Sequence, residues 1–156
     1  MTRVAHLPTG ILAAAALLAV PQASVAQGSD DDRRRRGAEV VRSLNNGQPQ
    51  PALENLRREF PFLADATEAY ALGDVWSRPG LEPRARQIAT VAAFAALGHG
   101  AFMKVHAGYA LNLGVTQEEL KEVVYLTTVH AGFPRAIQAA GVLSELFAER
   151  RRGPAQ

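Results

Sequence analysis

The chain of 156 residues is 47% hydrophobic and 21% charged, a balance that fits one globular domain with a real core, and a second domain is not expected. Its net charge of +2 at pH 7 supplies no global attraction for a nucleic-acid backbone. With no cysteine it has neither a disulfide framework nor a thiol nucleophile, so thiol chemistry is excluded.

Residues 1–26 read as a secretory signal peptide: Arg3 and His6 precede an apolar run over 11–20, and Ser24-Val25-Ala26 places small residues ahead of a cut before Gln27. The run is well short of the roughly 20 apolar residues that span a bilayer, so an exported chain, periplasmic or secreted, is expected rather than a membrane anchor. A single arginine ahead of the run disfavours twin-arginine export, and the lack of cysteine rules out lipidation at that point. Residues 27–37, "QGSDDDRRRRG", hold no apolar side chain and are predicted to be a disordered charged leader, because nothing there offsets the entropy of ordering. The sharper alternative, an arginine patch for an acidic surface, is weakened by the adjacent aspartates.

From Gly37 the pattern becomes helical, and residues 38–150 are expected to form the folded domain. "AEVVRSLNNG" predicts a short amphipathic helix ending at Asn46-Gly47, and "QPQP" breaks it. Residues 51–60 predict a second helix and 62–76 a longer one that stops before "SRPG". Pro83, at a first-turn position, opens a helix to residue 97 whose stretch "IATVAAFAAL" is apolar almost all round, so it is expected to be the central buried helix. Residues 101–113 follow, closed by Gly114. Thr116-Gln117-Glu118-Glu119 is a capping box, and Leu120, Val123, Val124, Thr127 and Ala131 continue at helical spacing. Gly132-Phe133-Pro134 starts a last helix with an inward stripe of Ala136, Ala139, Leu143, Leu146 and Phe147, and 151–156 read as a flexible tail. No period-2 run interrupts this series. An all-α, compact helical bundle is predicted.

Three segments in this order, "GDVWSRPGLEPRAR" over 73–86, "HAGYALNLGVTQEELKEV" over 106–123 and "HAGFPRAIQA" over 130–139, resemble the carboxymuconolactone decarboxylase family, in a superfamily with the alkyl hydroperoxidase D proteins. The similarity runs over about residues 53–149. The resemblance implies the alkyl hydroperoxidase D-like fold assembled as a homo-oligomer, trimer or hexamer, with pockets near subunit contacts. For the decarboxylase branch it implies loss of CO2 from a carboxylated muconolactone without metal or organic cofactor. The peroxidase branch carries Cys-x-x-Cys-x-x-x-His; aligned on His106, the thiol positions hold His99 and Phe102, so peroxide reduction through a disulfide is disfavoured.

His99 and His106 stand two turns apart on a predicted helix, about 10.5 Å along its axis, too far to share one zinc ion. No metal site is expected. His106 is the candidate proton donor, because decarboxylation returns a proton to the carbon that loses CO2; the alternative is a buried histidine satisfied by a backbone carbonyl. His130 either assists from the same pocket or suits the end of its helix, and His99 reads as a surface or cap residue. Arg86, with Arg78 behind it, is expected to hold a carboxylate substrate by bidentate pairing. Arg84 reads as an ordinary ion-pair partner of Asp74, Glu82 or a neighbouring subunit. Trp76 either packs in the core or supplies a flat wall for a lactone ring. Glu118 and Glu119 are explained by capping, Lys104 and Lys121 by solvation, and Phe94, Phe102 and Met103 as core or pocket lining. No phosphate loop, Ser-His-Asp pattern or basic aromatic strip points to nucleotides, hydrolysis or nucleic acid. The expected function is decarboxylation of a small carboxylated lactone or keto acid; the alternative is an exported oligomeric binding or scaffold protein on the same fold.

Overall fold

The computed structural model describes residues 29–153. The expected signal peptide and its cleavage site after Ala26 lie outside these residues. Within them the chain forms α1 Asp30–Leu44, α2 Pro51–Glu59, α3 Pro61–Ala66 running into a π-helix at Thr67–Trp76, then α4 Pro83–Leu97, α5 Gly100–Asn112, α6 Gln117–Ala131 and α7 Phe133–Arg152. The all-α prediction holds. No helix among the described residues is long and apolar enough to cross a membrane.

Two layers share the fold. Helices α4 to α7 pack around Val91, Met103, Leu120, Val124, Leu143 and Phe147, and the predicted inward stripe of α7 is buried in full. Each large side chain enclosed there contributes about 1.5–3 kcal/mol relative to exposure. Helices α1 to α3 and the π-helix gather around a smaller centre of Val41, Leu53 and Ala64. Helix α4 touches α5, α6 and α7 and is central as expected, yet it is not enclosed all round. Gln87, Val91 and Ala95 are buried, whereas Ala89, Ala93 and Leu97 face outward.

The charged block corrects the sequence prediction, because residues expected to be a disordered leader make the first turns of α1. Local causes are visible: the Ser29 hydroxyl accepts from the Asp32 backbone N–H at 3.2 Å, and Asp30, Asp31 and Asp32 fill the first turn, where the helix dipole favours acid. Arg33 pairs with Asp30 at 2.9 Å, Arg35 with Asp32 at 2.7 Å and Arg34 with Asp31. Such pairs stabilise a helix by only about 0.2–0.5 kcal/mol each. The decisive partners lie on the π-helix, where Asp74 binds Arg33 at 2.5 Å and Arg36 at 3.2 Å. Beneath these ion pairs the two helices touch backbone to backbone. A Cβ on Gly37 would stand 2.1 Å from the Glu68 carbonyl oxygen, and one on Gly73 would stand 2.1 Å from that of Arg33. The tail prediction also shifts, since Arg151 and Arg152 complete α7.

The helix predicted over 62–76 is continuous but changes its hydrogen bonding, and Ser77 N–H reaches the Leu72 carbonyl five residues back at 3.1 Å. Long π-helical runs are rare and tend to mark functional sites. This one ends on Trp76 and delivers that indole to the seam between the two layers.

Candidate active site

His106 projects from α5 into that seam. Its ring stacks on Trp76 with centroids 5.4 Å apart and planes at 22°, lies against Phe94 of α4 at 5.3 Å, and meets the Tyr109 ring edge-on at 5.7 Å. Its Nδ1 stands 3.0 Å from Oε1 of Gln87, a wholly buried residue on α4. Aromatic enclosure removes water that would solvate an imidazolium, and this burial pushes the ring from its usual 6.5 down to about 4. At neutral pH the ring is therefore uncharged. A proton donor of the kind expected from the sequence must first be loaded, and a carboxylate placed beside the ring would do so.

Beside the indole lies a cavity of about 380 Å³. Val40, Ser43 and Leu44 of α1 form one wall, the connecting loop except Gly80 another, and Trp76, Pro83 and Arg86 the rest. The three expected substrate-binding residues, Trp76, Arg78 and Arg86, thus converge on one cavity. Their surroundings differ. Arg86 donates from Nη1 to the Val75 carbonyl at 3.3 Å and from Nη2 to those of Arg78 at 2.8 Å and Leu81 at 3.2 Å, with its guanidinium 5.7 Å over the Trp76 ring. It holds the loop in shape. Arg78 is exposed, lines the cavity and enters no ion pair among the described residues, so it presents the freer guanidinium.

His106 does not itself line this cavity; the Trp76 indole, which does, is its connection to it. His130 is exposed in the last turn of α6 and is absent from the cavity wall and from the ring contacts of His106, so within one chain the fold does not bring it to this cavity. His99 occupies the N-cap position of α5 and meets Phe94 edge-on at 6.2 Å. Met103 is buried, but Phe102 is exposed and stacks on Phe94 at 5.6 Å. Arg84 does pair with an acid, although the partner is Glu119 at 2.5 Å rather than Asp74 or Glu82. Glu119 closes the predicted capping box; the Thr116 backbone N–H, followed by the Arg84 guanidinium, pulls its carboxyl down to about 2. Lys104 pairs with Glu149 and Lys121 with Glu118, each at 2.7 Å. No group of three or more His, Asp or Glu among the described residues is placed to hold a metal ion.

Gln87 is the site residue that the sequence reading missed. An amide in "RARQIATV" carries no motif, and the apolar run that follows draws attention away from it. One signal was present: Gln87, Val91 and Ala95 recur every four residues, so the polar side chain shares the stripe that faces the core.

The sequence profile of the carboxymuconolactone decarboxylase family matches residues 61–145, from α3 into α7 and across every element of this site except α1. A 4-carboxymuconolactone decarboxylase of Acinetobacter baylyi is 33% identical over 120 residues, covering 76% of this chain and 90% of that protein. The nitrosuccinic acid decarboxylase npaB of Metarhizium robertsii is 32% identical over 117 residues, 71% of this chain and 80% of its own length. Matched through the helices that build the His106 seam, and similar over most of its length to two decarboxylases, the chain belongs to the carboxymuconolactone decarboxylase family and is decarboxylase-like at that level.

Proposed function

We propose that the chain is a carboxy-lyase that removes CO2 from a small carboxylated lactone or keto acid without metal or organic cofactor. The observation that carries this reading is the cavity lined by both Arg78, which enters no ion pair among the described residues, and Trp76, the residue stacked on a neutral imidazole. Arg78 would pair with a carboxylate that the substrate retains. The departing carboxylate would lie against Leu44, Trp76 and Leu81, where poor solvation favours spreading its charge into an enolate as the carbon–carbon bond breaks. That bond's electron pair passes into the adjacent conjugated carbonyl, CO2 leaves, and the carbon takes a proton. His106, charged once the anion is bound, supplies it. The Trp76 indole must turn aside for this transfer.

The test is direct: incubate the protein of residues 27–156 with carboxymuconolactone and follow lactone absorbance and CO2. Loss of turnover in His106→Ala supports the assignment. Turnover that survives the substitution unchanged removes His106 as proton donor. A binding or scaffold protein of the same fold is the second reading, favoured by the indole that joins His106 to the cavity without the ring lining it. Retention of carboxylate ligands without turnover on any related acid would select it.

Assembly and export belong to the same proposal. Val129, Phe133 and Ile137 are 75%, 71% and 68% exposed at the α6–α7 corner, and Ala89, Ala93 and Leu97 face outward from α4. Apolar exposure on this scale suits contact with further copies of the chain, as a trimer or hexamer. Light scattering that shows a monomer would remove that part. Export predicts a periplasmic or secreted product whose mass begins at Gln27.

A further inference from the structure

We propose that Gln87 is the positioning residue for His106: its Oε1 holds the imidazole as the Nδ1–H tautomer and leaves Nε2 as the nitrogen that receives and delivers the proton. The proton's use rests on the decarboxylase reading; the tautomer does not. Gln87 is fully enclosed on α4, its Oε1 is 3.0 Å from His106 Nδ1, and its Nε2 has no hydrogen-bond partner among the described residues. A buried amide with one end unpaired is costly, and a Leu or Met would fill the same place in the Gln87–Val91–Ala95 stripe without that cost. What the amide adds is a single acceptor aimed at a single ring nitrogen. The opposite tautomer would need the amide turned over, with Nε2 donating to a bare Nδ1, and would leave Oε1 unpaired instead.

An amide also fixes orientation without adding charge. The groups that face the ring are Trp76 from the π-helix, Gln87 and Phe94 from α4, and Tyr109 from α5 itself. The Tyr109 hydroxyl accepts from Gln50 Nε2 at 2.8 Å, and the Arg86 guanidinium lies over the Trp76 indole. Among the described residues no carboxylate is in that shell, so the ring has no counter-ion there to charge it. The substrate's own carboxylate becomes the group that loads Nε2, which ties proton uptake to binding of the correct kind of molecule.

Nitrogen-15 spectra of the His106 imidazole in the substrate-free full chain test this. Wild type is expected to show a protonated Nδ1 and a bare Nε2 above its titration. Gln87→Leu is expected to lose the Nδ1–H preference. Gln87→Glu is isosteric and puts a carboxylate beside Nδ1, so the His106 midpoint is expected to rise by about 1–3 pH units. A purely structural role for Gln87 would lower the melting temperature of Gln87→Leu while leaving its tautomer balance where it stands in wild type. That unchanged tautomer balance, an unmoved midpoint in Gln87→Glu, or an Nε2–H tautomer in wild type overturns the proposal. Should Gln87→Leu fail to fold, the wild-type tautomer and the Gln87→Glu titration still decide it. Because none of these measurements uses a substrate, the tautomer assignment and the decarboxylase reading fail independently.

Discussion

Acid should destabilise this fold through one ring. In the unfolded chain His106 takes its proton near 6.5; in the folded chain burial among Trp76, Phe94 and Tyr109 lowers this to about 4. Between these values the unfolded state binds more protons than the native state, so stability falls as pH is lowered through that window and levels off below it. At about 1.4 kcal/mol per pH unit, the displacement corresponds to roughly 3 kcal/mol of stability present at pH 7 and gone near pH 4. His106→Phe keeps an aromatic ring in the box and removes the titration. Urea unfolding of both proteins across the window cancels the carboxylates common to them and leaves the histidine contribution. Wild type is expected to lose roughly 3 kcal/mol more than His106→Phe on acidification. Parallel losses in the two proteins would show that the ring is well hydrated, and the reasoning from a neutral imidazole would fail with it.

Gly73→Ala sets helix propensity against packing. Propensity favours Ala by about 1 kcal/mol, but the added Cβ would meet the Arg33 carbonyl oxygen, so a net loss of about 1–3 kcal/mol is expected in urea unfolding, with α1 the first element to lose amide protection. The two cavity arginines should separate by readout. Arg86→Ala strips a donor from the carbonyls of Val75, Arg78 and Leu81 and is expected to cost about 1–2 kcal/mol of stability. Arg78→Ala should change stability by less than about 0.5 kcal/mol and raise KM roughly tenfold or more for a carboxylate substrate. Thr116→Ala removes the cap that accepts from Glu119 N–H and should cost about 1 kcal/mol, measurable as a lower melting temperature.

The second half of the chain was the more legible. Capping at Thr116, the Pro83 start of α4 and the buried stripe of α7 are local or periodic features, decided by residues within a turn or two of one another. The family motifs lie in the same region, so the decarboxylase relationship came from their resemblance to a known family, while the all-α class came from the helical pattern itself. Trp76, Arg78 and Arg86 line one cavity, because a Pro-Gly turn keeps them close along the chain.

Tertiary structure decided what depends on partners far along the chain. Arg33 and Arg36 are ordered by Asp74, and the Gly37–Gly73 crossing lets α1 lie flat against the π-helix; a composition rule that weighs eleven residues by themselves cannot contain either contact. The π-helix departs from the 3.6-residue period that a sequence pattern assumes, and the indole at its last residue stacks on His106, 30 positions further along the chain. Charge state followed from the same packing. An imidazole has its ordinary proton affinity in any sequence, and only burial among the rings of Trp76, Phe94 and Tyr109 lowers it. Sequence alone determined the helices and the family; the meeting of helices decided which histidine is enclosed, which arginine is free, and whether a proton waits there before substrate arrives.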